Sequence, residues 1–171
     1  MGMTSTFGRI GQIALVVRDL DKAMRAYWEI LGVGPWRVYT YGPPLVRDMT
    51  YRGRKQDYRM RLALAQARDL TLELIQPLSG ESLYTEHLQQ KGEGLHHVGF
   101  VVDSLTEAIA EAAKLRLPVL QSGRGYGLDG DGGYAYLDTE SQLGMIAELI
   151  EIPKRRRSPE AEFPTQSPDR T

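Results

Sequence analysis

Few residues in this chain can do chemistry, and they are placed unevenly. Two of its three histidines stand together as His96-His97 at the head of the strand-like run HHVGFVV, and two glutamates, Glu73 and Glu148, interrupt the apolar runs LTLELIQP and MIAELIEIP. A carboxylate on an apolar strand face is costly unless it is paired, hydrogen-bonded or coordinated to a metal. There is no cysteine, so any metal must be held by oxygen and nitrogen. A divalent cation in such a set polarises a carbonyl, and a neighbouring carboxylate can take a proton.

Strand alternation assigns faces. His97 shares one with Gly99 and Val101, and His96 shares the other with Val98, Phe100 and Val102. The bulky face is expected beneath a helix, which turns His97 alone toward a concave side. Gln12, with Ala14 and Val16, follows the same rule; Glu73 goes with Thr71 and Ile75, and Glu148 with Ile146 and Ile150. The bland alternative is a wet sheet face, or a carboxylate answered by an arginine such as Arg61.

The elements that must position these residues come from an internal repeat. QIALVVRDLDKAM from Gln12 matches HVGFVVDSLTEAI from His97, and LELIQP around Glu73 resembles AELIE around Glu148. The repeat therefore pairs Gln12 with His97 and Glu73 with Glu148. Each copy opens as a strand, then a cap (Asp19 or Asp21; Asp103 or Ser104), then a helix, predicted over 20–31 and 105–115. Further strands are predicted over 36–41, 59–65, 119–121 and 133–137, with a glycine-rich hairpin between the last two. The fold class is α+β: two βαβββ modules, 9–78 and 95–153, forming a curved, cup-like mixed sheet with helices outside. A polar connector, 79–94, has room for a short helix. From 154 to 171 the composition predicts a flexible tail whose basic run, Lys154 to Arg157, is solvated.

With 171 residues, 42% of them hydrophobic, the chain can bury one shared core. A net charge of −1 gives no reason to expect nucleic acid or an anionic membrane as partner, and a small-molecule substrate is the better expectation. No apolar run reaches membrane-spanning length and the N-terminus lacks a signal pattern, so the reading is cytoplasmic.

The stretches IGQIALVVRDLDKAMRAYWEILGV, GEGLHHVGFVVDSLTEAIAEAAKL and GMIAELIEIP resemble the vicinal-oxygen-chelate superfamily of glyoxalase I, methylmalonyl-CoA epimerase and the extradiol dioxygenases. By that resemblance the metal positions fall on Gln12, Glu73, His97 and Glu148, and the cofactor is one divalent ion: zinc, nickel, cobalt, manganese or iron. The implied activity is that of a lyase or isomerase which abstracts a proton next to a carbonyl and stabilises an enolate or enediolate, with Glu148 or Glu73 as base. Gln12 stands where a ring-cleaving dioxygenase has its second imidazole, which argues against the oxygenase alternative. The intact ligand set argues against a non-catalytic, antibiotic-type binding protein. The extra inner-strand glutamate of the epimerase has no counterpart in RMRLALA, where Arg61 is the nearest candidate. A homodimer is implied by resemblance only.

The stretch VYTYGPPLVRDMTYRGRKQDYRM resembles an insertion. Arg47, Tyr51 and Tyr58 within it, with Arg61, are candidate substrate-binding residues for a lid. His87 reads as an ordinary surface residue.

Overall fold

The computed structural model describes residues 6–165. The first module runs β1 (Arg9–Val16), α1 (Leu20–Leu31), β2 (Trp36–Tyr41), β3 (Arg47–Tyr51), β4 (Arg54–Lys55), β5 (Arg59–Ala67) and β6 (Leu70–Ser79). After α2 (Leu83–Gln90) the second runs β7 (Gly94–Val101), α3 (Leu105–Lys114), β8 (Val119–Tyr126), β9 (Gly132–Leu137), α4 (Glu140–Leu143) and β10 (Ile146–Glu151), followed by β11 (Ala161–Phe163). All strands join one mixed sheet in the order β11-β2-β5-β6-β1-β7-β10-β9-β8-β3-β4. The α+β reading and its doubled module are borne out.

Local chemistry explains the helices. Asp19 caps α1 by accepting from Lys22 N at 2.9 Å, Gly32 ends it at φ 65°, and Ser104 caps α3 by accepting from Glu107 N. Strand alternation then sorts the core into three layers. Leu20 and Met24 of α1 pack on Trp36, Val38, Ala63, Ala65 and Leu74 of the sheet, and Leu105, Ala108 and Ala112 of α3 pack on Ala135, Leu137 and Leu149. The concave side gathers Ala14, Val16, Met60, Leu62, Ile75 and a set of tyrosines. The two helices thus hold the sheet from outside while its inner face closes on itself.

Two segments differ from the sequence expectation. The supposed insertion is a hairpin, β3–β4, that leaves its own module and pairs with β8 of the other, with Thr50 Oγ1 2.7 Å from Ser122 Oγ. Val46 just before it and its own Met49 and Tyr51 are buried in the shared core, which makes it part of the packed fold rather than an added segment. Of the stretch 154–171, read as a flexible tail, 166–171 lie outside the described residues, and the part before them is instead pinned as far as Phe163. Phe163 packs on the layer beneath α1, β11 pairs with β2, and Glu160 accepts from Thr40 N and Thr40 Oγ1, both at 2.9 Å. One aromatic side chain and an open sheet edge outweigh the polar composition.

Candidate metal centre in the cup

The site sits on the seam where β1 meets β7 antiparallel and each module adds its closing strand in parallel, β6 on β1 and β10 on β7. Across the seam Gln12 faces Gly99 and Ala14 faces His97. Alongside, Glu73 lies next to Ala14 and Glu148 next to Gly99. The two small residues occupy equivalent places in the repeat, and the four polar side chains surround them. Gly99 is needed for this: a Cβ there would lie 2.5 Å from Ile150 Cδ1, 2.9 Å from Gln12 Cβ and 3.2 Å from Glu148 Oε2.

The four side chains converge. Gln12 Nε2 donates to Glu73 Oε2 at 2.8 Å and to Glu148 Oε2 at 3.3 Å, while His97 Nε2 lies 2.9 Å from Glu148 Oε2 and 3.6 Å from Glu73 Oε2. Glu73 and Glu148 are buried, His97 completely so, and Gln12 is half-buried. Burial opposes a charge on His97, but the two carboxylates outweigh it and raise the imidazole to about 9. Burial pushes Glu73 up as well, with Glu148 adding to it and His97 opposing. The amide NH2 of Gln12 and the His97 ring thus supply the positive ends that two facing carboxylates require.

The donors fit a divalent cation. One ligand atom each from Glu73, His97 and Glu148 lies within 4.8 Å of the others, a half-turn of the Gln12 amide exchanges its donor for an oxygen, and the buried His97 Nε2 makes no hydrogen bond despite its short approach to Glu148. The partner on the far side of the ring is His96, whose Nδ1 lies 2.8 Å from His97 Nδ1. Burial and its neighbour hold His96 well below the usual histidine range. It therefore stays neutral and accepts from His97 Nδ1–H, which leaves His97 Nε2 as the atom that would face a cation.

This arrangement corrects the alternation reading, which sent His96 beneath the helix of its own module, α3: it packs instead against Tyr84 and His87 of α2. Between Ala14↔His97 and Leu15↔Leu95 strand β7 carries one residue more than β1. Such a bulge breaks the period of two, and both rings meet Tyr136, with centroids 5.8 and 4.8 Å away. His87 is not a surface residue either: it is buried, edge-on to His96 at 5.1 Å.

Because the two carboxylates hold the His97 imidazole protonated to about pH 9, ion binding at pH 7.5 is expected to release about one proton per ion. Affinity should rise about tenfold per pH unit up to pH 9. Calorimetry in two buffers of different protonation enthalpy measures this; binding without proton release would contradict the role given to His97.

Above the centre the cup is lined by Tyr84, Tyr126, Tyr134, Tyr136, Met60, Leu62 and Leu64. The hydroxyls pair, Tyr84 with Tyr136 and Tyr58 with Tyr134, both at 2.7 Å, and burial raises all four, so they remain neutral. The cup encloses about 50 Å3, room for three or four water-sized groups at roughly 10–15 Å3 each. Tyr41 and Tyr126 stack 5.3 Å apart at its rim. Beyond them opens a groove of about 920 Å3 that shares Tyr41 and includes Arg47 and Arg59.

The other substrate-binding candidates are placed elsewhere. Arg61 points out to α1 and pairs with Asp21 at 2.9 Å. Tyr51 donates to Glu86 Oε2 at 2.6 Å, and Tyr58 is buried with its hydroxyl engaged.

A model of the Glyoxalase/Bleomycin resistance protein/Dioxygenase superfamily matches residues 11–136. The chain belongs to this superfamily. Among its relatives, the uncharacterized protein YqjC of Bacillus subtilis (strain 168) is 25% identical over 84% of this chain and 91% of that protein. Mitochondrial methylmalonyl-CoA epimerase of Mus musculus is 27% identical over 83% and 72%. The structure of a Streptomyces coelicolor methylmalonyl-CoA epimerase variant in complex with 2-nitronate-propionyl-CoA is 21% identical, covers 90% of this chain and 99% of that one, and superposes with a TM-score of 0.63. The resemblance to the vicinal-oxygen-chelate superfamily is thereby borne out.

Some cup residues of this superfamily member escaped sequence reading although their signal was present. GGYAYL alternates, sending Tyr134 and Tyr136 into the cup and Ala135 and Leu137 beneath α3. Arg156, from the supposed tail, also lines the cup. Among the described residues no helix is long and apolar enough to cross a membrane.

Proposed function

We propose that this chain is an isomerase-type enzyme that, with a divalent cation at Gln12, Glu73, His97 and Glu148, abstracts the proton next to the carbonyl of a small acyl substrate. The observation that carries this reading is the convergence of two carboxylates and one imidazole on the floor of a closed cup. A bound cation supplies Lewis acidity to the substrate carbonyl. Glu148, 2.9 Å from His97, acts chiefly as a ligand. Glu73, raised by burial, is the better proton carrier, since a carboxyl shifted toward neutrality can both take and return a proton. The apolar wall and the neutral tyrosines exclude water and offer hydroxyl donors.

Oxygen activation is disfavoured by His96. Its ring is the nearest second imidazole, and it is bonded to His97 rather than joining the ligand group. The inner side chains of β5 are Met60, Leu62 and Leu64, so no acid there serves the opposite face of a planar intermediate. Methylmalonyl-CoA, named in the relatives, is the substrate to try first. With cobalt present, deuterium from D2O should enter at the carbon between the two carbonyl groups, and faster than configuration inverts; mass spectrometry and a chiral readout follow the two. A cobalt-bound protein that exchanges no deuterium would sink this reading.

A further inference from the structure

The segment after β10 crosses the mouth of the cup as a strap fastened at both ends. At its start Pro153 is buried against Gly127, Leu128 N donates to Arg155 O at 2.9 Å, and the Arg155 guanidinium pairs with Asp129. At its end Glu160 and β11 are tied to β2. Between these anchors the strap passes from the second module to the first, and Arg156 lines the cup together with Gln12, Glu73 and Glu148. Its charge is felt by Glu73 and Tyr41. Yet, among the described residues, Arg156 makes no hydrogen bond and no ion pair, whereas Arg155 beside it is fully engaged.

A guanidinium is a planar fork suited to two-point binding of a carboxylate. Its backbone is held at both ends while its exposed head stands at the mouth of the cup, open to a ligand. We infer that Arg156 is a specificity-determining residue: it binds a free carboxylate on the substrate, opposite the cation end of the cup. This rests on the proposed reaction and extends it to acids carrying a carboxylate besides the carbonyl that activates the C–H bond. The two facing glutamates repel such an anion, so a free cation at the mouth is what admits it.

The probes are malonate and its monoamide, titrated calorimetrically into the cobalt-loaded full chain. Wild type should prefer malonate. Arg156→Gln should weaken malonate by about 10–100-fold, the loss expected for a charged hydrogen-bonding pair, and collapse the preference; Arg156→Lys should restore part of it. Arg157→Gln, one residue along and facing the outer groove, should bind malonate as wild type does. Cobalt affinity, read in the same samples, should stay high in Arg156→Gln. If Arg156→Gln keeps the wild-type affinity and preference, the inference is overturned. If it loses cobalt and both probes together, Arg156 is only a counter-charge to Glu73, and the inference is again overturned. Deuterium exchange separates this from the reaction itself: a collapsed preference without exchange upholds the clamp and removes the reaction, and exchange with an intact preference does the reverse.

Discussion

His97→Ala should all but abolish divalent-cation binding and cost the folded protein about 3–5 kcal/mol, the range for breaking a buried charge pair. The ring is the single nitrogen among the candidate ligands and is fully buried. Its removal leaves Glu73 and Glu148 facing each other with only the Gln12 amide between them. The affinity loss should exceed the roughly 10–100-fold typical of an outer partner, which is the loss expected for His96→Ala. Visible absorption of the cobalt protein gives the affinities and urea unfolding the stability. Equal losses in the two variants would mean that the ligand roles of the neighbouring histidines have been misassigned, and cobalt binding unchanged in His97→Ala would dismantle the centre altogether.

Gly99→Val should disable the centre without touching a ligand. Gly99 is flanked by Gln12 across the seam and by Glu148 alongside it, and even one methyl group would stand 2.9 Å from Gln12 Cβ. Relief requires Gln12 to be displaced or the β1–β7 pairing to open. Overpacking of this kind costs about 1–3 kcal/mol, and cation affinity should fall together with stability. Gly99→Ala should lie between wild type and Gly99→Val, because Ile150 Cδ1, the closest atom, is a side-chain end that can turn aside. At the equivalent place of the first module, Ala14 already carries a methyl group and borders Glu73 and His97. Ala14→Gly should therefore leave the centre intact. A Gly99→Val protein that melts and binds cobalt like wild type would show that the four side chains do not depend on this gap.

The four centre residues were legible because the repeat constrains them twice. A strand pattern with a period of two and a duplicated register leave one way to bring Gln12, Glu73, His97 and Glu148 onto a common face. His96 was not legible, since a bulge is an extra residue that alternation counts wrongly, and nothing in GLHHVGF marks which residue is the extra one. The hairpin over 47–55 was hidden for a different reason. Its partner β8 lies about seventy residues away in the other module, and local pattern carries no information about crossing from one half to the other. The strap was obscured by composition: prolines and mixed charge conceal the few contacts of Pro153, Glu160 and Phe163 that fix Arg156 over the cup.

Both borders of the long sheet are very short strands, three residues in β11 and two in β4. An unpaired strand edge is a template on which another chain can add, and neither border offers a run long enough to serve. The β4 border carries Arg54 and Lys55, both exposed, so an approaching copy would meet like charge. Along β2, Trp36–Val38 pair with the chain's own β11, and Thr40 N donates to the Glu160 carboxylate. These short borders disfavour joining of copies by continuous strand pairing. A homodimer is then expected to form through side-chain surfaces, with the four candidate ligands of each subunit supplied by one chain.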